Sequence, residues 1–267
     1  MKFTTFALMK LHFYKYQGTG NDFIMIDNRN LSFPKTNISL INKLCDRRFG
    51  IGADGLILLE PSNKQDFKMV YFNADGNEGS MCGNGGRCLV AFAKQLGIIT
   101  YKTTFDAVDG LHYATIENNI VSLKMIDVTE IEIAKEYTFL NTGSPHHISF
   151  CKNISTINVK EAGSKIRYGA PYFEEGTNVN FVEQLTNDSF KVRTYERGVE
   201  DETLACGTGV TAVAIAANKT NITNSNTIKI EVLGGNLEVS FEKKDTSYTN
   251  VFLKGPAQFV FEGNITI

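Results

Sequence analysis

The chain has 267 residues, a 42% hydrophobic fraction, 21% charged residues and a net charge of -2. That is apolar material enough for one large or two modest domains, and the near-neutral charge gives no electrostatic reason to bind nucleic acid or an anionic membrane. No apolar run approaches the roughly 18–20 residues that span a bilayer. The odd, sparse set of cysteines (Cys45, Cys82, Cys88, Cys151, Cys206), with no C-x-x-C pair, argues against a disulfide framework, a metal site and a thioredoxin-type motif.

Along the chain, the apolar stretch Phe3 to Met9 is short, runs straight into Lys10 and lacks a small-residue cleavage site. It does not read as a signal peptide, so a cytoplasmic location is expected and Met9 could be the native start. The alternation from Leu11 and Phe13 onward predicts a first strand. Further strands are predicted over Asp22–Asp27, Gly55–Glu60, Phe67–Asn73, Ile120–Met125, Thr227–Val232 and Val251–Leu253 from β-branched or alternating character between turn residues. Leu89-Val-Ala-Phe-Ala and Val210-Thr-Ala-Val-Ala-Ile-Ala-Ala are helical and apolar nearly all round, which marks buried helices. Gly50-Ile-Gly52-Ala-Asp-Gly55 lacks the full nucleotide-loop spacing and precedes a strand, so Asp54 reads as a turn residue.

Those two helices each follow a cysteine, and the cysteines belong to an internal repeat. Tyr71-Phe-Asn-Ala-Asp-Gly-Asn-Glu-Gly-Ser-Met-Cys82-Gly-Asn-Gly aligns without gaps on Tyr195-Glu-Arg-Gly-Val-Glu-Asp-Glu-Thr-Leu-Ala-Cys206-Gly-Thr-Gly. Thr19-Gly20-Asn21 is echoed more weakly by Thr142-Gly143-Ser144. The chain therefore predicts duplicated halves that meet near residues 126–137. Pseudo-twofold symmetry could then set the two cysteines face to face across a cleft.

A helix start offers unpaired N–H groups and a partial positive charge. The backbone amides near Gly83, Asn84, Gly207 and Thr208 are the expected cradle for a carboxylate, and the same positive end is expected to lower the thiol pKa values. An amino acid held there would present its α-carbon between two sulfurs. One thiolate removes the α-proton and the opposite thiol delivers one to the other face, with no cofactor and no metal. Cys45, Cys88 and Cys151 lack the matched context and read as small buried hydrophobes.

Taken in order, the blocks Gly18-Thr-Gly-Asn-Asp-Phe23, Gly50-Ile-Gly-Ala-Asp-Gly55, Asn73-Ala-Asp-Gly76, Cys82-Gly-Asn-Gly-Gly-Arg87, Gly143-Ser-Pro-His146, Thr177-Asn-Val-Asn180, Glu196-Arg-Gly198 and Ala205-Cys-Gly-Thr-Gly209 resemble the diaminopimelate epimerase family from Tyr16 onward. The resemblance implies interconversion of LL- and meso-diaminopimelate, a step toward lysine and peptidoglycan, without pyridoxal phosphate. It implies a mixed α/β (α+β) fold of two similar pseudo-twofold-related domains, each a sheet wrapped around a central buried helix, with the active site in the cleft between them. The domains would be 1–127, completed by 255–267, and 128–254. Carried over by position, Cys82 and Cys206 would be the acid–base pair, and His146 and Glu196 would polarise or orient the sulfurs. Asn21, Asn73, Asn178 and Arg197 would bind the substrate along with Gly83, Asn84, Gly207 and Thr208. Arg suits the distal carboxylate because it grips bidentately. His147 and Arg87 read as structural. Ser144 stands where many members carry Asn, and Asn77 replaces a usual Ser. Beyond the amino-acid substrate, the only partner entertained is a second copy in a homodimer.

Three rival readings remain. A proline or hydroxyproline racemase-like enzyme shares the two-cysteine logic, but such enzymes typically carry Cys-Gly-His at the first cysteine, and an imino acid has no need of Arg197. A thiol redox protein is disfavoured by the lack of C-x-x-C. A pyridoxal-phosphate racemase would be recognised by its absorbance.

Overall fold

The structure, a computed structural model, describes residues 10–79 and 81–267. The expectations for residues 1–9, Met9 as the start included, lie outside the described residues. Lys10–Gly18 is the expected first strand. It pairs antiparallel with Asn21–Asp27, which runs parallel to Gly55–Glu60. Gly55–Glu60 pairs antiparallel with Phe67–Asn73, which meets Lys102–Ala107 in parallel, and Gly110–Glu117 and Ile120–Lys124 continue antiparallel. The parallel steps are made by helices α1, Ile38–Cys45, and α2, Gly83–Gln95.

The second half repeats this connectivity. Thr138–Asn141 pairs antiparallel with Pro145–Phe150, which runs parallel to Asn178–Thr186 across α3, Val159–Tyr168. Ser189–Glu196 pairs antiparallel with Asn178–Thr186 and then runs parallel to Thr227–Val232 across α4, Gly207–Lys219. Gly235–Lys244 and Ser247–Pro256 follow antiparallel. Ser247–Pro256 pairs with Ile120–Lys124, so all 17 strands among the described residues join in one sheet. Gln258–Thr266 pairs with Lys10–Gly18, much as Ile131–Ile133 pairs with Thr138–Asn141.

Each half thus has an inner and an outer helix. The inner helices α2 and α4 are the two predicted after the cysteines, and their residues join one core that runs through both halves. Val210, Val213 and Ile215 of α4 are fully buried, and burial of such a side chain contributes about 1.5–3 kcal/mol. The outer helices seal smaller cores: Ile41 and Leu44 of α1 against Ile24, Leu56 and Leu58, and Val159 of α3 against Val179, Phe181 and Tyr195. The starts of the helices differ in kind. α1 and α3 are capped by Asn37 and Asn158, whose side chains accept from Leu40 N and Glu161 N. α2 and α4 have Cys82 and Cys206 at that position, with no side-chain cap. Their first N–H groups are left for other acceptors. Among the described residues no helix is long and apolar enough to cross a membrane.

Candidate active site

Cys82 (φ -106, ψ 121) and Cys206 (φ -120, ψ 110) have the same extended backbone, and each opens a helix of 13 residues. The helices meet at their first residues: a Cβ built on Gly207 would lie 3.5 Å from the Cα of Gly83. Glycine at these positions lets the two starts approach this closely. Cys82 is half-buried and Cys206 is 8% exposed, and all five cysteines are free thiols. The Glu196 carboxylate acts electrostatically on both sulfurs, and Cys82 acts on Cys206.

The expected lowering of the thiol pKa values is overturned in sign. Burial pushes the Cys206 thiol up to about 12, helped by Glu196 and opposed by the Thr208 hydroxyl and the Gly209 amide. Burial also raises Cys82, with the Gly85 and Asn84 amides and the Arg87 guanidinium pulling the other way and Glu196 reinforcing it. The helix-start amides do favour thiolate, but in so dry a site desolvation outweighs them. Glu196 is itself raised by burial and by Asp54.

On the second side, a chain of hydrogen bonds leads to Cys206. The Asn180 amide nitrogen donates to the carbonyl of His147, 3.1 Å, and so also donates to His146 Nδ1, 3.2 Å. A carbonyl can only accept, so this assigns the His146 proton to Nε2, which lies 2.9 Å from Thr208 Oγ1. The Thr208 hydroxyl is then free to donate to Cys206 Sγ at 3.5 Å. His146 is fully buried, and burial together with Arg197 lowers its pKa to about 3. It is a neutral imidazole that acts on Cys206 through Thr208. The Thr208 side chain is the participant sequence reasoning missed, having been singled out only for its amide. Its signal is the hydroxyl two residues after the cysteine, where the first turn carries Asn84.

The remaining candidates fall into two groups. Arg197 is exposed, its Nη1 2.8 Å from the carbonyl of Glu175, yet close enough to His146 to depress it. Asn178 is buried and committed: its amide donates to Ser144 Oγ and to the carbonyl of Pro145, both 2.9 Å, and its Oδ1 accepts from the Arg197 N–H. It holds the Ser144 hydroxyl and the Pro145 and Arg197 backbones, and its amide has no spare hydrogen. Asn21 joins Asn84 and Asp54, so Asp54 does more than shape a turn: its carboxylate accepts from Asn21 Nδ2 at 3.0 Å and from Arg47 at 2.8 Å. Asn73 is exposed at the end of its strand, its amide beside Gly79. His147 and Arg87 are both buried. Among the described residues no cluster of three or more His, Cys, Asp or Glu is placed to hold a metal ion.

Two thiols stand at abutting helix starts, with the Gly85 and Asn84 amides acting on Cys82 and the Gly209 amide on Cys206. Solved structures share the fold. A phenazine biosynthesis protein of the PhzF family from Bacillus anthracis superposes with a TM-score of 0.76 over 97% of this chain and 100% of its own, at 13% identity. A hydroxyproline epimerase from Agrobacterium vitis superposes with a TM-score of 0.70 over 98% and 93%, at 11% identity. Sequence places the chain more narrowly. The profile of the diaminopimelate epimerase family matches residues 13–124 and 138–260. Diaminopimelate epimerase of Flavobacterium psychrophilum is 65% identical over 96% of this chain and 100% of its own length, and that of Chlorobaculum tepidum is 42% identical over 94% and 99%. The chain belongs to the diaminopimelate epimerase family.

Proposed function

We propose that this protein interconverts LL- and meso-diaminopimelate by a two-cysteine, cofactor-free mechanism. The observation that carries the reading is the pair of matched cysteine turns at abutting helix starts in a chain of this family. The substrate α-carboxylate lies on the amides of Gly83, Asn84, Gly207 and Thr208, where oriented N–H groups stabilise the charge that develops as the α-proton leaves. One thiolate, Cys82 or Cys206, takes the α-proton from one face while the other thiol protonates the opposite face. Glu196 and His146 orient the sulfurs, His146 through Thr208. Asn21, Asn73 and Arg197 form the distal binding surface, with Asn178 holding the Arg197 backbone beside it and the exposed guanidinium of Arg197 available to a carboxylate. The α-ammonium of the substrate brings a positive charge near the two raised thiols and so favours the thiolate that burial opposes.

The chain divides into 1–127 with 255–267, and 128–254, and the repeated connectivity supports this division. A homodimer is supported by Gln258–Thr266, which pairs on one side with Lys10–Gly18 and exposes Phe259, Val260 and Phe261 by 46, 51 and 44%. A monodisperse monomer in sedimentation at micromolar concentration overturns it. A cytoplasmic location accords with five unpaired thiols.

Incubation of LL-diaminopimelate with the protein in deuterated water tests the main reading. We expect meso product carrying deuterium at the inverted α-carbon, with no added cofactor. No inversion of diaminopimelate, or activity restored only by metal or pyridoxal phosphate, would overturn it.

A further inference from the structure

Among the described residues Arg87 heads the largest fully buried side chains, and it lies in the first turns of α2. A buried cation without an anion costs several kcal/mol, yet among the described residues no carboxylate pairs with it. Its Nη2 donates to Thr19 Oγ1 at 2.6 Å and to Asn84 Oδ1 at 2.9 Å, Nη1 reaches the carbonyl of Gly83 only at 3.4 Å, and Nε has no partner. The repeat supplies a control. The corresponding residue of α4 is Thr211, whose hydroxyl donates to the carbonyl of Gly207 at 2.9 Å. The start of such a helix therefore does not require a charge.

What the charge does is set a direction. Arg can only donate, so the Asn84 oxygen must face it. The Asn84 nitrogen then donates to Asn21 Oδ1 at 2.5 Å and to the carbonyl of Ala205 at 3.1 Å. Asn21 in turn presents its nitrogen to the Asp54 carboxylate, which can only accept. Both amide orientations are fixed from the two ends. One hydrogen of the Asn21 amide keeps no partner among the described residues, and the second Asn84 hydrogen bridges to the residue just before Cys206.

We propose that Arg87 and Asn84 are positioning residues for epimerisation: the buried guanidinium fixes the polarity of a hydrogen-bond chain that holds the Asn21 amide and ties the Cys82 helix to the backbone beside Cys206. The guanidinium also stands behind Cys82 as the charge that favours its thiolate. This rests on the epimerase reading above, and the parent protein's own activity separates the two: inactivity of the parent sinks that reading, whereas an active parent with unaffected variants sinks this inference alone.

Asn84→Asp is the discriminating variant. Its carboxylate neutralises Arg87, so the melting temperature should hold or rise, but it has no hydrogens for Asn21 and Ala205. We expect kcat to fall at least about tenfold, as for loss of one or two oriented hydrogen bonds. The pH at which Cys82 is half-alkylated by iodoacetamide, read by peptide mapping without substrate, should move upward. A folded variant with kcat within twofold of the parent and an unchanged Cys82 profile overturns the proposal. Should Asn84→Asp not fold, Arg87→Lys carries the test. Lys keeps the buried charge but not the fork that reaches Thr19 and Asn84 together, so kcat should again fall about tenfold while the Cys82 profile stays put. A parent-like kcat in Arg87→Lys overturns the proposal.

Discussion

At Cys82 the following helix carries Asn84 and Arg87; at Cys206 the same two positions carry Thr208 and Thr211. The backbone around the sulfurs is the same and the polar surroundings are not. The first turn uses amides and a buried cation, extends to Asn21 and Asp54, and leaves its thiol half-buried. The second uses hydroxyls and a neutral histidine, is drier, and holds its thiol up to about 12. A reversible inversion needs two groups that exchange roles, but the two need not start alike. Duplication supplies the matched, abutting helix starts, and divergence at two positions per turn gives each sulfur different polar neighbours. At Cys82 the Arg87 guanidinium is one of the groups that oppose the rise burial imposes on the thiol.

Removing either sulfur should cause the largest change. Cys82→Ser and Cys206→Ser should each lower inversion of diaminopimelate by roughly 10²–10⁴-fold, the range for a lost acid–base group, because an alcohol is a far poorer base than a thiolate. Wild-type rates in both variants would end the two-thiol mechanism. Arg197→Lys comes next. Losing the fork on the distal carboxylate should cost about 1.5–3 kcal/mol in kcat/KM, the worth of a hydrogen bond to a charged group, and near-normal kinetics would show that the distal group is read elsewhere.

Thr208→Val sharpens the contrast between the turns. It should remove the link from His146 to Cys206 and lower kcat by about tenfold, one hydrogen bond to a developing charge. The alkylation profile of Cys206 should shift to higher pH while that of Cys82 stays. Equal shifts at both cysteines would mean that the turns are not independent.

The smallest effect separates the halves by pH. His146 and His147, both in the second half, are held by burial at about 3 and about 4. The unfolded chain takes up their protons below about 6.5 and the folded chain refuses them. Stability is therefore full above that pH and falls as pH drops toward 4, by about 1.4 kcal/mol per unit for each histidine. In the first half, Asp22 is raised by burial but lowered more by Arg47 and Lys15, to about 2. Its contribution is present above its unfolded value of 3.8 and is lost only as pH falls toward 2. Hydrogen exchange at pH 5 should accordingly increase first in Pro145–Phe150 and Asn178–Thr186, and His147→Asn should flatten the acid slope of the melting temperature. Earlier exchange in Asn21–Asp27 would contradict the assignment.

Much of this was legible in the sequence where one signal dominated. Gly55–Glu60, Phe67–Asn73 and Thr227–Val232 are strands over the predicted residues, because their apolar character and their turn boundaries agree. Val251–Leu253 is only the middle of Ser247–Pro256, whose ends are polar and partly exposed. Helix α3 gave no such signal. Gly163 sits in its middle, where a Cβ would come within 2.3 Å of Tyr195 Cβ, so a packing demand overrides helix propensity. The cysteine turns stood out because the repeat doubles them. The Arg87–Asn84–Asn21–Asp54 chain did not, since each member is an ordinary polar residue and only the fold brings position 84 to position 21. The opposite sign of the thiol shifts was hidden for a related reason. A helix start can be read from spacing, whereas the dryness around it depends on residues from both halves.

The strand Gln258–Thr266 has a consequence for how the chain is made. Gln17 meets Gln258 across a separation of 241 residues, and among the described residues Lys10–Gly18 has its outer partner only there. A ribosome that has delivered the whole of the first cysteine helix has still not delivered the strand that covers the edge of that half. The second half is bounded by strands close to one another in the chain, so it can close first although it is translated later. Loop-closure entropy grows only slowly with length, so the late pairing is less a burden on final stability than on timing. Until it forms, an apolar edge stands open to other nascent chains.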